Sequence, residues 1–448
     1  MLANVNLFIQ TNNLMSLGNI LANNTVYRVL NIAATFFITI ILSRLMGSQG
    51  YGLFSLIIVN VTVYNLLSGF GAEAGIVYNS AFGKFDINKL VTIIFSVILF
   101  QFIFLLIIGY SYYLLKHQFW FNLNHFWPLI FLFVSVAVIE KYNSLLYGHH
   151  FYSISNKIIF ISNLICLLVF IFIFFGKKPG DFERYLNVYI TTSVFQAMVS
   201  IIAFHKTINK PFKLAWPHSA DWKLFFSYSL ITFVTNCIQF LAYRVDYWMV
   251  DHFSGQNKLG IYSVAVKLVQ LFWIIPLFFA GILFPATAGK KKQFNEHGML
   301  ALIRVMNVFN IAVAVISFFV TGWLIPVFFG KEYAESIMPF KWLLPGIVLF
   351  CNTTILAAYF AGKNLIKINL LGSFICFGII LLLDLLLIPV YNIKGAALAS
   401  SIGYGVTTIY FIWMFLKSSP YKLTDIFAIN KNDWKQVFDF GTKFFIKK

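Results

Sequence analysis

The chain has 448 residues, 60% of them hydrophobic and only 11% charged, with a mean hydropathy of +0.82; soluble domains carry about 25% charged residues. That composition excludes a soluble globular protein and defines a polytopic membrane protein. The net charge of +18 is distributed between apolar spans instead of forming one basic surface, which argues against nucleic acid as a partner and for membrane topology.

Aromatic residues suit lipid-facing helices with interfacial belts: 53 Phe, 22 Tyr and 10 Trp. Cys166, Cys237, Cys351 and Cys376 all fall in apolar stretches without CxxC spacing, so neither a disulfide framework nor a zinc site is expected. No cofactor is expected beyond a coupling H+ or Na+.

In chain order, the first two dozen residues carry no Lys or Arg before Arg28 and read as an interfacial segment, not a signal peptide. A span needs about 20 mostly apolar residues. Twelve candidates follow, at 20–43, 52–80, 90–114, 126–147, 157–176, 184–205, 224–252, 261–287, 300–327, 337–361, 366–390 and 394–416. The expected fold is therefore all-α, with twelve transmembrane helices. Domain boundaries are expected at 1–205 for an N-terminal six-helix lobe, 206–223 for a basic linker, 224–416 for a C-terminal lobe and 417–448 for a basic amphipathic tail.

Lys and Arg near span ends are retained in the cytoplasm. With the N-terminus inside, most basic residues, Lys89, Lys141, Lys157, Lys223 and Arg304 among them, count as cytoplasmic. Both termini then lie in the cytoplasm, and the tail with Trp434, Phe438, Phe440 and Phe444 is expected on the anionic inner leaflet.

The segment LMGSQGYGLFSL (45–56) matches FSGQNKLGIYSV (253–264) at a shift of 208, which sets Gly52 on Gly260, Phe54 on Tyr262 and Ser55 on Ser263. A second pair, LYGHHFYSISN (146–156) and FAGKNLIKIN (360–369), sets Gly148 on Gly362. Twelve spans thus divide into two sixes. Six is even, so both halves enter from the same side, a parallel repeat about the membrane normal.

Several ionisable groups fall inside spans: Arg28, Glu73, Arg244, Asp246, Lys267 and Asp384. Each costs roughly 2.5 to 3.5 kcal/mol to insert, so such groups face a wet cavity or a partner. Arg244, Lys267 and Arg28 suit an anionic cargo group. Asp246, Asp384 and Glu73 are candidates for ion coupling. Asn31, Asn236 and Gln239 can hydrogen-bond a polar cargo, with Tyr243 and Trp248 as aromatic neighbours; interhelical bonding explains the same residues. The charges also satisfy one another if Asp246 pairs with Lys267 and Arg28 with Glu73. His149 and His150 lack metal-ligand spacing and read as interfacial. Pro276, Pro285 and Pro345, with Gly281 and Gly346, are candidate bends.

Three blocks carry a resemblance. LSRLMGSQGYGLFSL, DYWMVDHFSGQNKLGIYSVAVKLVQLFWIIPLFFAGILFP, and FFGKEYAESIMPFKWLLP with AGKNLIKINLLGSF and IPVYNIKGAALASSIGYG resemble, in the same order, the polysaccharide-biosynthesis branch of the multidrug, oligosaccharidyl-lipid and polysaccharide exporter superfamily. The resemblance implies two six-helix bundles around a central cavity. It also implies a flippase for undecaprenyl pyrophosphate-linked repeat units of O-antigen, capsule or exopolysaccharide in a bacterial inner membrane. A polysaccharide polymerase or chain-length regulator is an implied partner. Many relatives carry two helices beyond the twelve expected here. The alternatives are a multidrug or cation extruder of the same superfamily, which would favour an acidic cavity, and a membrane-embedded glycan polymerase. The polymerase would need a large outer loop, whereas FGKKPGDFE (175–183) is short and poor in catalytic groups. No enzyme activity is expected.

Overall fold

A computed structural model describes residues 17–437, apart from 82, 84, 117–122, 177–180, 210–212, 289–295, 429 and 431. The proposed interfacial N-terminus before Leu17 and the tail residues Phe438, Phe440 and Phe444 lie outside the described residues. The helices are α1 (Leu17–Gly69), α2 (Ala72–Ala81), α3 (Ile87–Lys116), α4 (Leu123–Gly148), α5 (Tyr152–Phe175), α6 (Phe182–Ile208) and α7 (Ser219–Gln270). They continue with α8 (Ile274–Ala288), α9 (Glu296–Phe328), α10 (Ile337–Gly362), α11 (Ile366–Tyr391), α12 (Ile393–Lys417) and the short α13 (Leu423–Phe427).

Among the described residues, ten helical stretches are long and apolar enough to cross a membrane, and two of them, Val26–Gly69 and Thr232–Gly281, run to 44 and 50 residues. At 1.5 Å per residue either would reach about 65 to 75 Å, twice the roughly 30 Å hydrocarbon core. Each must therefore fold back. Gly47 (φ 66°, ψ 176°) breaks α1 and Gly255 (φ 80°, ψ 170°) breaks α7, both in a region of backbone space that only glycine occupies readily. Ten stretches, two of them doubled, accommodate the twelve crossings read from the sequence.

The repeat is written in the backbone. Gly47 and Gly255 are themselves related by the shift of 208. In the second pair of turns, His149, His150 and Phe151 donate to the carbonyls of Leu145, Tyr147 and Leu146 at 3.0, 3.0 and 2.8 Å. Lys363, Asn364 and Leu365 donate to Tyr359, Ala361 and Phe360 at 3.1, 3.0 and 2.8 Å. His150 (φ 64°) and Asn364 (φ 61°) take the same left-handed position. Two chance look-alikes in sequence would not reproduce the same bonds in the same order.

Packing separates two compact units. The first comprises Tyr27–Asp251 and Gly255–Gly260; the second comprises the described residues up to Val26, His252–Ser254 and the described residues from Ile261 onward. This differs from the division at 206–223 drawn from the repeat, because the first arm of α7 is packed on the helices before it. Gly71 and Gly75 lie so close to Ser229 that a Cβ would come within 2.3 Å of its carbonyl oxygen and 2.1 Å of its Oγ. Trp248 Nε1 donates to Asn60 Oδ1 at 2.7 Å. The start of α7 and the segment before it are tied to α3: Lys89 Nζ is 2.9 Å from Asp221 Oδ2, and the Ala215 amide donates to Thr92 Oγ1 at 2.9 Å. Lys89, then the His218 backbone amide, hold the Asp221 carboxyl below the usual carboxylate range.

Each unit has its own apolar core. In the first, Ile76, Leu90, Ile93, Leu145, Phe204 and Phe225 are sealed together. In the second, Leu283, Leu300, Ile303, Ile355, Phe360 and Phe415 are. Phe172, Phe175 and Phe319, by contrast, are largely exposed, as lipid-facing residues are. Within the second unit Pro276 removes an amide and forces the 3₁₀ turn Leu271–Trp273 ahead of α8. The Phe272 carbonyl freed in this way accepts from Cys351 Sγ at 3.6 Å. The start of the tail packs onto the same unit: Ile426 is buried in its core. Arg304 Nε donates to the Asp425 carbonyl at 2.5 Å, and its Nη1 lies 3.3 Å from Asp433 Oδ2. Arg304, counted above as a connection charge, is thus a buried clasp, while Leu423 and Trp434 remain exposed.

Candidate functional site

The first arm of α7 presents a polar stripe. Asn236, Gln239 and Tyr243 recur at three- and four-residue spacing and so share a face. Asn236 and Gln239 are exposed, and Tyr243 is half-buried. Gln239 Nε2 donates to Tyr243 Oη at 2.8 Å, which fixes both side chains along the helix. Arg244 follows, half-buried, with its guanidinium carbon 5.0 Å above the Tyr247 ring. Stacking of this kind orients a guanidinium. Beneath it Tyr51 is held by Thr39 and Ser55 and lies in the field of Arg244 and Tyr247. Asp246 is turned about 200° from Arg244 around the helix and is buried. The two charges therefore serve different faces.

On α1, Arg28 is exposed. One turn later Asn31 Oδ1 accepts from Asn163 Nδ2 of α5 at 2.5 Å, so Asn31 is engaged between helices. Trp248 is likewise tied through its indole N–H to Asn60, as the interhelical reading expected. Lys267 is half-buried on the second arm of α7, and Asp384 is fully buried on α11. The candidates therefore divide. Arg28, Asn31, Glu73, Asn236, Gln239, Tyr243, Arg244 and Asp246 belong to the first unit, while Lys267 and Asp384 belong to the second.

One expectation is corrected. Lys141, counted as a cytoplasmic end charge, is enclosed within α4 at 0% side-chain exposure, 2.6 Å from Glu73 Oε1. Its second neighbour is Glu140 Oε2 at 3.7 Å. Glu73 thus takes Lys141 as its partner where the sequence suggested Arg28. The sequence signal was present, since Glu140 and Lys141 stand side by side seven residues inside the end of α4, but counting charges near span ends absorbed it. A further feature was not anticipated: a cavity of about 580 Å³ beside the start of α6, lined by Val169, Asp181, Glu183, Arg184, Asn187 and Thr191. Among the described residues no group of three His, Cys, Asp or Glu side chains is placed to hold a metal ion.

The fold defines the class first. The chain superposes on the lipid II flippase MurJ, in an inward closed conformation, with a TM-score of 0.66 at 14% identity, covering 94% of this chain and 97% of that one. It has the fold of transporters of the multidrug, oligosaccharidyl-lipid and polysaccharide superfamily. The profile of the family described as "polysaccharide biosynthesis protein" matches residues 41–338, and the chain belongs to that family. It is 23% identical over 250 residues to a putative O-antigen transporter of Shigella flexneri, across 53% of this chain and 59% of that protein, so it spans little more than half of that relative. It is 22% identical over 411 residues to the capsular polysaccharide biosynthesis protein CapF of Staphylococcus aureus, across 87% of this chain and 97% of that one.

Proposed function

We propose that the protein is a flippase, not an enzyme, that moves undecaprenyl pyrophosphate-linked oligosaccharide repeat units across a bacterial cytoplasmic membrane. These would be precursors of O-antigen, capsule or exopolysaccharide. Movement is by alternating access of two six-helix bundles around a central cavity, coupled to an H+ or Na+ gradient. Both termini are cytoplasmic in this scheme, and a polymerase or chain-length regulator takes the product.

The observation that carries the reading is Arg244. A cation stacked on Tyr247 in mid-span, beside the stripe of Asn236, Gln239 and Tyr243, combines a diphosphate ligand with sugar-binding amides on one helix arm. Guanidinium forks match phosphate oxygens in pairs, and exposed amides in a membrane span need a polar occupant. A cation extruder would place an acid at that position; the nearby Asp246 is buried and turned away. Lys267 and Arg28 supply further positive charge in this scheme.

The test is movement of a fluorescent undecaprenyl pyrophosphate-linked oligosaccharide in proteoliposomes. Loss of a charged hydrogen bond costs about 1.5 to 3 kcal/mol. Arg244→Ala should therefore weaken binding roughly ten- to hundredfold, and Lys267→Ala less, since ammonium acts as a point charge. Arg244→Lys should recover only part. Movement equal to wild type in both alanine variants would remove these residues from the cargo site and leave the flippase reading standing.

A further inference from the structure

The three charges around Lys141 form a unit that the cargo site does not use. Lys141 Nζ is sealed at 0% side-chain exposure, 2.6 Å from Glu73 Oε1 and 3.7 Å from Glu140 Oε2. The two acids are 31% and 36% exposed. The ammonium thus forms the floor and the carboxylates the mouth. Gly69 borders the cluster: a Cβ there would lie 3.5 Å from both Glu73 Oε1 and Lys141 Nζ and 3.4 Å from Gln101 Nε2, in ordinary contact with all three. Gln101 is fully buried. Its Nε2 donates to the Asn65 carbonyl at 3.0 Å and to Ser68 Oγ at 3.2 Å, whereas its Oε1 has no hydrogen-bond partner among the described residues. A buried acceptor without a donor therefore borders the charged cluster.

Two carboxylates and one ammonium sum to one negative charge, held seven residues inside the end of α4 and eight inside the end of α2. That is about 10 to 12 Å along either helix axis, within the apolar layer. A net charge is disfavoured there, and one proton removes it. The electrostatic neighbours of Glu140 are Lys141 and Glu73. Of the other packed elements, α1 contributes neutral Asn65 and Ser68, and α3 contributes neutral Gln101. On α3, Lys89 is taken by Asp221, and His205 of α6 stacks on Tyr142, with ring centroids 6.1 Å apart.

We infer that Glu140 carries the exchangeable proton that couples transport, with Glu73 and Lys141 as the fixed ion pair that positions it. Glu73 is held at 2.6 Å by the ammonium; Glu140, at 3.7 Å, is the more distant and more open of the two acids. In one state the Glu140 carboxyl is protonated and the cluster is neutral. In the other its O–H bond breaks, the proton passes to water, and the cluster carries the charge that favours reopening. A metal cation is a poorer occupant, because the Lys141 ammonium already holds the cation position. The inference rests on the ion-coupled flippase reading. It moves the coupling group from Glu73, Asp246 or Asp384 to a residue the sequence did not single out.

The test uses proteoliposomes of wild type and Glu140→Gln, with the fluorescent undecaprenyl pyrophosphate-linked oligosaccharide as probe and pH and Na+ gradients imposed separately. With one proton per cargo, one pH unit allows about tenfold accumulation of probe in one leaflet by wild type. Glu140→Gln should equilibrate the probe between leaflets and accumulate none. Accumulation by Glu140→Gln equal to wild type, or a wild type driven by Na+ alone, would overturn the assignment. A wild type indifferent to both gradients would instead remove ion coupling from the proposed function, and a wild type that moves no probe would remove the flippase reading. Infrared difference spectra give a readout independent of transport. A titrating protonated-carboxyl band seen in the purified wild type should be missing in Glu140→Gln, and its persistence there would also overturn the assignment.

Discussion

Gly260→Ala and Gly52→Ala should each pry apart the turns of the two repeats, with effects of similar size. A Cβ on Gly260 would sit 1.8 Å from the Ser48 carbonyl oxygen and 2.9 Å from the Gly52 nitrogen. A Cβ on Gly52 would sit 1.9 Å from the Gln256 carbonyl oxygen and 2.8 Å from the Gly260 nitrogen. Ser48 and Gln256 are themselves related by the shift of 208, so the crossing has local two-fold symmetry. Each repeat presents the same glycine to the same carbonyl of the other. Backbone lies on both sides and no side chain can swing away, so relief requires the turns to separate. Overpacking costs about 1 to 3 kcal/mol where a side chain can yield, and the upper end is expected here. That corresponds to roughly a hundredfold shift in population away from the crossed state. Ser48 is 8% exposed, so Ser48→Cys should react slowly with a membrane-impermeant maleimide. Adding Gly260→Ala should speed labelling at least about tenfold, whereas Gly281→Ala, where nothing lies within 4 Å of the added carbon, should not. The double variant should be less than additive, because the first methyl already parts the turns. Unchanged labelling in Gly260→Ala would mean that the crossing does not hold this state together.

Lys141→Met should be the most damaging single change to the first unit. It leaves Glu73 and Glu140 facing one another without the cation between them. Removing one partner of a buried pair costs about 3 to 5 kcal/mol. The acids are a third exposed, which places the expectation near the lower figure. The companion Glu73→Gln in the Lys141→Met background should restore much of the loss, since replacing both partners is far less costly than stranding one. Thermal unfolding of purified protein in detergent reads this directly. An unchanged midpoint for Lys141→Met, or no recovery in the double variant, would show that the cluster does not support the fold.

The spans and the repeat were legible in the sequence because both depend on local order. Apolar runs of membrane length declare themselves, and a glycine that must meet backbone at Gly52 must do so again at Gly260. The break points were legible only in part. The prolines drew attention as bends, and Pro276 does distort its helix, yet the sharp reversals fall at Gly47 and Gly255, where backbone conformation matters more than a missing amide. The Lys141 cluster was not legible. Its members lie 68 residues apart on α2 and α4, and a lysine near a span end looks the same in sequence whether it reaches water or a buried carboxylate. The clasp of Arg304 was not legible for the same reason, its partners Asp425 and Asp433 lying more than a hundred residues on. Arg244 could be read because its neighbours on the stripe are on its own helix.

The account as a whole stands on vectorial movement of a lipid-linked glycan. The direct measurement places fluorescent undecaprenyl pyrophosphate-linked oligosaccharide in both leaflets of liposomes and adds an impermeant quencher outside. Liposomes containing the protein should lose the signal of the inner leaflet as well as the outer, while protein-free liposomes keep the inner half. An inner half equally protected with and without the protein would contradict the account.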